Sequence, residues 1–245
     1  MGGSASAAHN PINNLPPEMV TKKKVDEIVG FLLPLYYTKQ PFAPGEKDLA
    51  EKSWKMILNN QCPHFNQLKK THPEMSQDQS CFDHFFDVFY GRMFDVHPSC
   101  RGLFHKTINK QGSFFGRWIS LLFSEMDEPQ KFYTSLANLT HLHNKIGVKA
   151  FEYCFMGEVL IYALKEVLGP EAYTQSVHVG WVKFYSRMLD GIVPIVVEFE
   201  LKNKDSAVSI LDKRLSNVNV ATPVLTSGRE SSTHDSSMIR QPDRA

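Results

Sequence analysis

The segment LANLTHLHNKIGV, residues 136–148, contains the residue whose type and position most directly suggest chemistry. Leu136, Leu139 and His143 are spaced i, i+3 and i+7, so in a helix they share one face. This spacing places the imidazole of His143 on an apolar stripe, whereas His141 falls among polar neighbours. A histidine on such a stripe either hydrogen bonds to a carbonyl in the core or serves as a metal ligand. The rest of the chain must decide between these two interpretations.

Two further polar side chains lie among aromatic residues at helical spacing. Tyr90 has phenylalanines at i−4 and i+4, and Gln111 has Phe115 at i+4. Phenol and amide groups can both donate hydrogen bonds, and burying them against aromatic rings is costly unless they find a partner. A core tyrosine bonded to a backbone carbonyl and a solvated glutamine at a helix start are the simpler alternatives. With His143, however, these residues could supply one ligand and two donors to a common pocket.

Apolar periodicity predicts that helices position all of these residues. No stretch alternates with a period of two, so we expect an all-α fold. Residues 59–77 lose the helical period and contain two prolines, which predicts a long connection between helices. The predicted helices of the main domain span residues 46–58, 82–94, 110–126, 127–147, 148–168 and 171–201.

Composition divides the chain into three parts. Residues 46–202 are expected to form the main domain. Residues 1–45 are expected to be a flexible extension containing a short amphipathic helix, which Pro34 ends. Residues 203–245 are rich in Ser, Thr and Asn, which predicts a disordered tail.

Charge and hydropathy favour a cytoplasmic protein. A net charge of +1 argues against a dedicated nucleic-acid binder. The four cysteines are far apart and form no CxxC pair, which indicates reduced thiols. No apolar run approaches the roughly 18 residues that a membrane-spanning helix needs.

The N-terminus adds one membrane signal. Gly2 and Ser6 fit the pattern for N-myristoylation, although an unmodified start is an open alternative. One acyl chain binds membranes only marginally, so stable attachment needs a second signal. Lys22 to Lys24 and the amphipathic helix that follows could supply it, which would give weak peripheral membrane contact. The alternative is that this helix packs on the main domain.

Several spaced motifs resemble the globin family, over roughly residues 46–200. The run HLHNKIGVKAFEYCFMGEVLIYALKEVLG resembles the family's proximal-histidine segment and seventh helix. KSWKMI resembles the Ser-Trp signature of the first helix, and FYGRMFDVHPSCRGLF the second helix and the corner after it. TINKQGSFF is similar to the start of the distal helix in flavohaemoglobin-like and single-domain globins. The lengthened connection at 59–77 and the short segment between Phe104 and Gln111 depart from the family pattern.

The resemblance implies a globin fold, a three-over-three helical sandwich that encloses haem b, with extensions at both termini. His143 would ligate the iron, Phe104 would pack on the haem, and Tyr90 and Gln111 would stabilise a bound gas. The spacing from Gln111 to His143 matches the family's distal-to-proximal spacing. The haem-binding residues expected on this basis are His143, Phe104, Gln111, Tyr90, Phe115, Leu139 and Val148.

Three functions follow from this resemblance. The leading hypothesis is reversible binding of dioxygen, or another diatomic gas, in a carrier, store or sensor. The second is a haem enzyme that oxidises nitric oxide or reduces nitrite, for which a separate reductase would supply electrons. The third is a haem-free signalling module, against which the position of His143 on an apolar face argues.

Overall fold

The computed structural model of the protein describes residues 22–104 and 108–203, and in these ranges the chain is helical without a β-strand. The all-α prediction is therefore confirmed. The helices are α1 (Lys22–Leu32), α2 (Glu46–Leu58), α3 (Pro63–Thr71), α4 (Cys81–Val96), a 3-10 helix (Pro98–Leu103), α5 (Ile108–Glu125), α6 (Pro129–Ile146), α7 (Ala150–Ala172) and α8 (Gln175–Lys202).

Local sequence signals explain where the site-bearing helices begin and end. Ser80 and Asp83 form a capping box at the start of α4, each side chain accepting a hydrogen bond from the other's backbone N–H. Pro129 occupies the first turn of α6, where its missing N–H costs nothing. Gly147 ends α6 in the left-handed region, at φ 88°. These signals place His143 one turn before the end of its helix.

The connection between α2 and α4 differs from the prediction, because it contains a helix of its own. Pro63 starts α3, which lacks a long apolar stripe and places one aromatic side chain, Phe65, in the core. Its neighbour His64 packs against Gly169, where α7 kinks at φ 70°. Helix α3 is too short and too polar to give a clear helical pattern in the sequence. Its packing against α7, rather than an apolar stripe of its own, stabilises it.

Close packing of α2 on α8 forms the centre of the core. The rings of Trp54 and Trp181 meet edge to face at 5.9 Å. Gly180 permits this approach, because a Cβ atom there would lie 2.4 Å from the backbone oxygen of Glu46. Ser53 Oγ accepts a hydrogen bond from the indole N–H of Trp181 at 2.8 Å. The buried indole N–H of Trp181 thus has a hydrogen-bond partner within the core and does not need water.

Residues 22–44 lie against the main helices. In α1, Leu32 is buried, and the segment after it crosses α7 and α8. The Tyr36 hydroxyl donates to the backbone oxygen of Cys154 at 3.1 Å, and the Thr38 N–H donates to Ser186 Oγ at 3.1 Å. The helix predicted here therefore packs on the domain. The proposed boundary at residue 45 stays a prediction.

The contact of Tyr36 with Gly157 gives a testable prediction about stability. A Cβ atom at Gly157 would lie 1.8 Å from the Tyr36 hydroxyl and 2.5 Å from the Tyr185 ring. Gly157→Ala is therefore expected to destabilise the fold by about 1–3 kcal/mol through overpacking. Gly91→Ala is the matched control, since Gly91 is exposed in α4 with open space around it. That change should stabilise the fold by about 0.5–1 kcal/mol through helix propensity. Urea unfolding of both variants measures the difference, and a Gly157→Ala protein as stable as the wild type would contradict the packing.

None of the helices within residues 22–104 and 108–203 combines the length and the hydropathy needed to cross a membrane. Gly2, Ser6 and the C-terminal tail from residue 204 lie outside the described residues.

Candidate functional site

A cavity of about 490 Å³ lies between α4, the 3-10 helix, α5, α6, α7 and α8. Most of its lining is aromatic or aliphatic, with a few polar groups, as is usual for sites that take a large organic ligand. Six of the seven side chains expected from the sequence line it: Tyr90, Phe104, Phe115, Leu139, His143 and Val148.

His143 brings an imidazole to the wall formed by α6. Burial lowers the pKa of His143 below its ordinary value, so the ring is neutral at physiological pH. Its Nδ1 atom is buried and has no hydrogen-bond partner among the described residues. The simpler interpretation, a core histidine bonded to a carbonyl through Nδ1, is therefore not what the structure contains. His141 is exposed, as its polar neighbours predicted.

The end of α6 holds this imidazole in place. Gly147 adopts its left-handed conformation, and the Val148 N–H then donates to the carbonyl of His143 at 3.2 Å. The turn brings Val148 back to the same cavity as Leu139 and His143. A residue with a Cβ atom would be strained at this positive φ, which explains the glycine at position 147.

Tyr90 supplies a hydroxyl to the cavity from the middle of α4. Its ring is 8% exposed and lies 4.4 Å from Phe86 and 5.1 Å from Phe104, centroid to centroid. Burial raises the pKa of the Tyr90 phenol, so it remains protonated and can donate. Within the described part of the chain the hydroxyl has no hydrogen-bond partner. The alternative of a tyrosine bonded to a backbone carbonyl is not observed there.

Gln111 lies in the first turn of α5, and its side chain is outside the described part of the structure. The backbone beside it is informative. Gly112 is buried, and a Cβ atom there would lie 3.2 Å from the ring of Phe86. Since Phe86 is one turn before Tyr90, α5 passes α4 about one helical turn from Tyr90.

Two buried polar residues, of which Tyr153 lies beside His143, were missed by the sequence analysis. The Tyr153 ring lies 5.7 Å from the imidazole, and its buried hydroxyl has no hydrogen-bond partner among the described residues. Glu200, 2% exposed, reaches from the last turn of α8 and accepts a hydrogen bond from the Ala150 N–H at 3.1 Å. Glu200 and Tyr153 interact electrostatically, which contributes to a raised pKa for Tyr153 after burial and Glu152. A sequence signal existed, because Glu200 continues the apolar stripe of Val193 at i+7.

A third unpredicted feature closes one wall of the cavity. His97 Nε2 lies 3.4 Å from Glu152 Oε1, and each side chain is only 12% exposed. The other oxygen of Glu152 accepts a hydrogen bond from the Lys149 N–H at 2.7 Å, which caps α7. The pair thus ties the start of the 3-10 helix to the start of α7, across the cavity wall.

Together these groups can hold a large apolar group that carries a metal. A neutral imidazole offers a lone pair that could ligate a metal, and the aromatic lining offers few groups to which water could hydrogen bond. The phenol can donate a hydrogen bond to a small ligand in the same space. Such donors act most strongly in a dry pocket.

Comparison with known proteins agrees with this geometry. Residues 87–192, from α4 into α8, match the family model described as Globin. A flavohemoprotein of Rhizobium meliloti is 27% identical over 122 residues, 49% of this chain and 30% of that protein. A neuroglobin of Tetraodon nigroviridis is 25% identical over 155 residues, 58% of this chain and 84% of that protein.

The relatives differ from this chain in length. The chain spans 30% of the Rhizobium meliloti flavohemoprotein and 27% of a Bacillus subtilis flavohemoprotein that is 29% identical over 110 residues. Among solved structures, an engineered carbene transferase from Rhodothermus marinus has a TM-score of 0.47 at 17% identity, covering 71% of this chain and 99% of that one. The match of residues 87–192 to the Globin model, the relatives and the all-α fold together support assigning this chain to the globin family.

Proposed function

We propose that this protein binds haem b through His143 and binds dioxygen reversibly, as a carrier, store or sensor. The observation that carries the proposal is the neutral imidazole of His143 on the wall of an aromatic cavity, with Nδ1 buried and lacking a partner in the described residues. The relatives named flavohemoprotein and neuroglobin support the same cofactor. When bound, haem would supply an iron that can take up a diatomic gas.

The residues of this chain then have separate roles. His143 would ligate the iron, and Leu139 and Val148 would contact the haem from the same wall of the cavity. Phe104 and Phe115 pack against it and keep water out. All five side chains line the same cavity.

Tyr90 and Gln111 are the proposed donors to the bound gas. Tyr90 is supported by its protonated hydroxyl in the cavity. Gln111 is supported by its position in the first turn of α5, where that helix crosses α4. Dioxygen gains negative charge in such a site, so hydrogen bonds to it are charge-assisted and strong.

We further propose that residues 46–202 form the complete globin domain, in the cytoplasm. The packing of α2 on α8 through Trp54 and Trp181 supports including the first helix, which precedes the matched residues 87–192. Reversible binding needs ferrous iron, so a separate reductase is the expected partner for restoring it after oxidation.

An absorption spectrum of the purified protein tests the proposal. We expect haem to copurify and the ferric, ferrous and ferrous-carbon monoxide forms to differ in their haem bands. The ferrous spectrum also shows whether the iron has five or six ligands. A folded protein that takes up no haem, even when haem is supplied, would contradict the proposal and favour the haem-free signalling module.

A further inference from the structure

Two cysteines that are far apart in the sequence meet in the fold. Cys62 and Cys81 are both fully buried, and their side chains are near enough for each to shift the pKa of the other. Both are reduced. A backbone link holds the two segments together, since the Cys81 N–H donates to Asn60 Oδ1 at 2.6 Å. This link and the stacking of Phe65 on His84, each three residues after its cysteine, place Cys62 and Cys81 side by side at the starts of α3 and α4.

Each of the two sulfur atoms lies at the N-terminus of a helix. Cys62 is the N-cap residue of α3, and Cys81 is the first residue of α4. Helix N-termini stabilise negative charge and therefore thiolates. The interaction with Cys81 lowers the pKa of the Cys62 thiol, while the interaction with Cys62 and burial raise the pKa of Cys81. Cys62 is the nucleophile of this pair.

Contacts around the two cysteines fix the position of α3 relative to the start of α4. Phe65, one turn into α3, is buried and stacks on the ring of His84 in α4, with centroids 5.2 Å apart. His64 packs against Gly169 of α7. Helix α3 therefore presents Cys62 to the first turn of α4 in a fixed position.

The connection between the helices offers a route for a reagent. Residues 72–80 are mostly exposed and form no helix. Segments with few buried contacts open locally at a lower free energy than the whole fold. This segment ends at the residue before Cys81, so its opening is the route of access that the reaction would use.

We propose that Cys62 and Cys81 are a redox modification site, at which the two thiols are converted reversibly into an intramolecular disulfide by a low-molecular-weight disulfide such as oxidised glutathione. The Cys62 thiolate attacks one sulfur of the oxidant, forms a mixed disulfide and releases one thiolate. The Cys81 thiol then loses its proton to solvent, attacks the Cys62 sulfur and displaces the second thiolate. Two protein thiols are oxidised and one small disulfide is reduced, so atoms and electrons balance.

The bond would clamp α3 to α4 and close a loop of about 20 residues, which restricts the unfolded chain. We therefore expect oxidation to raise the melting temperature by about 5–10 °C. This site is separate from the cavity, and the proposal does not depend on haem binding.

The test uses the full-length wild-type protein, equilibrated either in reduced or in oxidised glutathione. The protein is then denatured in the presence of iodoacetamide, which alkylates free thiols, and digested with trypsin without reductant. Cys62 and Cys81 fall in different peptides, MILNNQCPHFNQLK and THPEMSQDQSCFDHFFDVFYGR. After oxidation we expect these peptides as one linked species, lighter than their sum by two hydrogen atoms, and as two alkylated peptides after reduction.

Two controls sharpen the result. In Cys81→Ser the Cys62 thiolate has no resolving partner, so a stable glutathione adduct at Cys62 is expected. Cys62→Ser lacks the nucleophile and should stay unmodified, and neither variant should show a rise in melting temperature. Cys100→Ser, which removes a thiol on other elements, should still form the link. If oxidised wild-type protein shows both peptides alkylated, a stable glutathione adduct at Cys62, or cross-links to Cys100 or Cys154, the assignment is wrong.

Discussion

Replacing His143 with alanine is expected to abolish stable haem incorporation, whereas His141→Ala is expected to leave it unchanged. His143 lines the cavity and is neutral because burial lowers its pKa, while His141 is exposed on the other side of α6. Both changes replace an imidazole by a methyl group in the same helix, so effects on helix propensity are matched. Loss of the ligand should weaken haem affinity by more than about 100-fold, since even outer-shell partners of ligating histidines contribute about 10–100-fold.

The measurement is haem bound per protein after purification, followed by titration of the haem-free variants with haem. Circular dichroism of each variant verifies that α6 and the rest of the fold are intact. A His143→Gly variant offers a second readout, because added imidazole can occupy the space of the missing side chain. We expect imidazole to restore the wild-type ferric spectrum in that variant only. Equal haem content in His143→Ala and His141→Ala would mean that His143 is not the ligand.

Removing the Tyr90 hydroxyl is expected to speed dioxygen release about tenfold. A charge-assisted hydrogen bond in a dry pocket contributes about 1.5 kcal/mol, and 1.4 kcal/mol corresponds to a factor of ten. Tyr90→Phe preserves the ring contacts with Phe86 and Phe104, so it isolates the hydroxyl from packing. Tyr162→Phe is the matched control, since Tyr162 is 39% exposed and does not line the cavity.

Gln111→Leu tests the second donor in the same experiment. If both donors reach one dioxygen molecule, each single variant should release it faster than the wild type. The double variant should then release it faster than either single variant. Carbon monoxide is a poorer acceptor, so its release should change much less. Dissociation rates for both gases, measured on all four proteins and on Tyr162→Phe, separate a hydrogen-bonding effect from a general loosening of the pocket. Unchanged dioxygen rates in Tyr90→Phe and Gln111→Leu would remove both donors from the mechanism, whatever the result for His143.

Several features of the fold could be predicted because they depend on local spacing. The i, i+3, i+7 pattern placed Leu139 and His143 on one face of a helix, and the structure has both in one cavity. The phenylalanines flanking Tyr90 likewise indicated a buried phenol. Helical geometry relates residues within two turns, so neighbours at that range are readable from the order of amino acids alone.

The resemblance to globins also allowed predictions about residues that lie far apart in the chain. Phe104 and Tyr90, which the resemblance assigned to one haem pocket, line the same cavity with their rings 5.1 Å apart. Helix α3 escaped detection because its nine residues bury little more than Phe65. A short polar helix has no strong local signal and forms only where another surface covers it.

The amino-acid sequence by itself determined the all-α class, the faces of the helices and the residue types that can hold a haem. Tertiary structure alone decided which distant residues meet. Tyr153 lies beside His143, and Glu200 bonds to the start of α7, because α7 and α8 pack together there. Cys62 comes near Cys81 because the connection after α3 returns the chain to Asn60. Such contacts depend on how helices cross and how loops close, which no short stretch of sequence encodes. The four cysteines therefore looked equally isolated in the sequence, and the fold distinguished one pair from the other two.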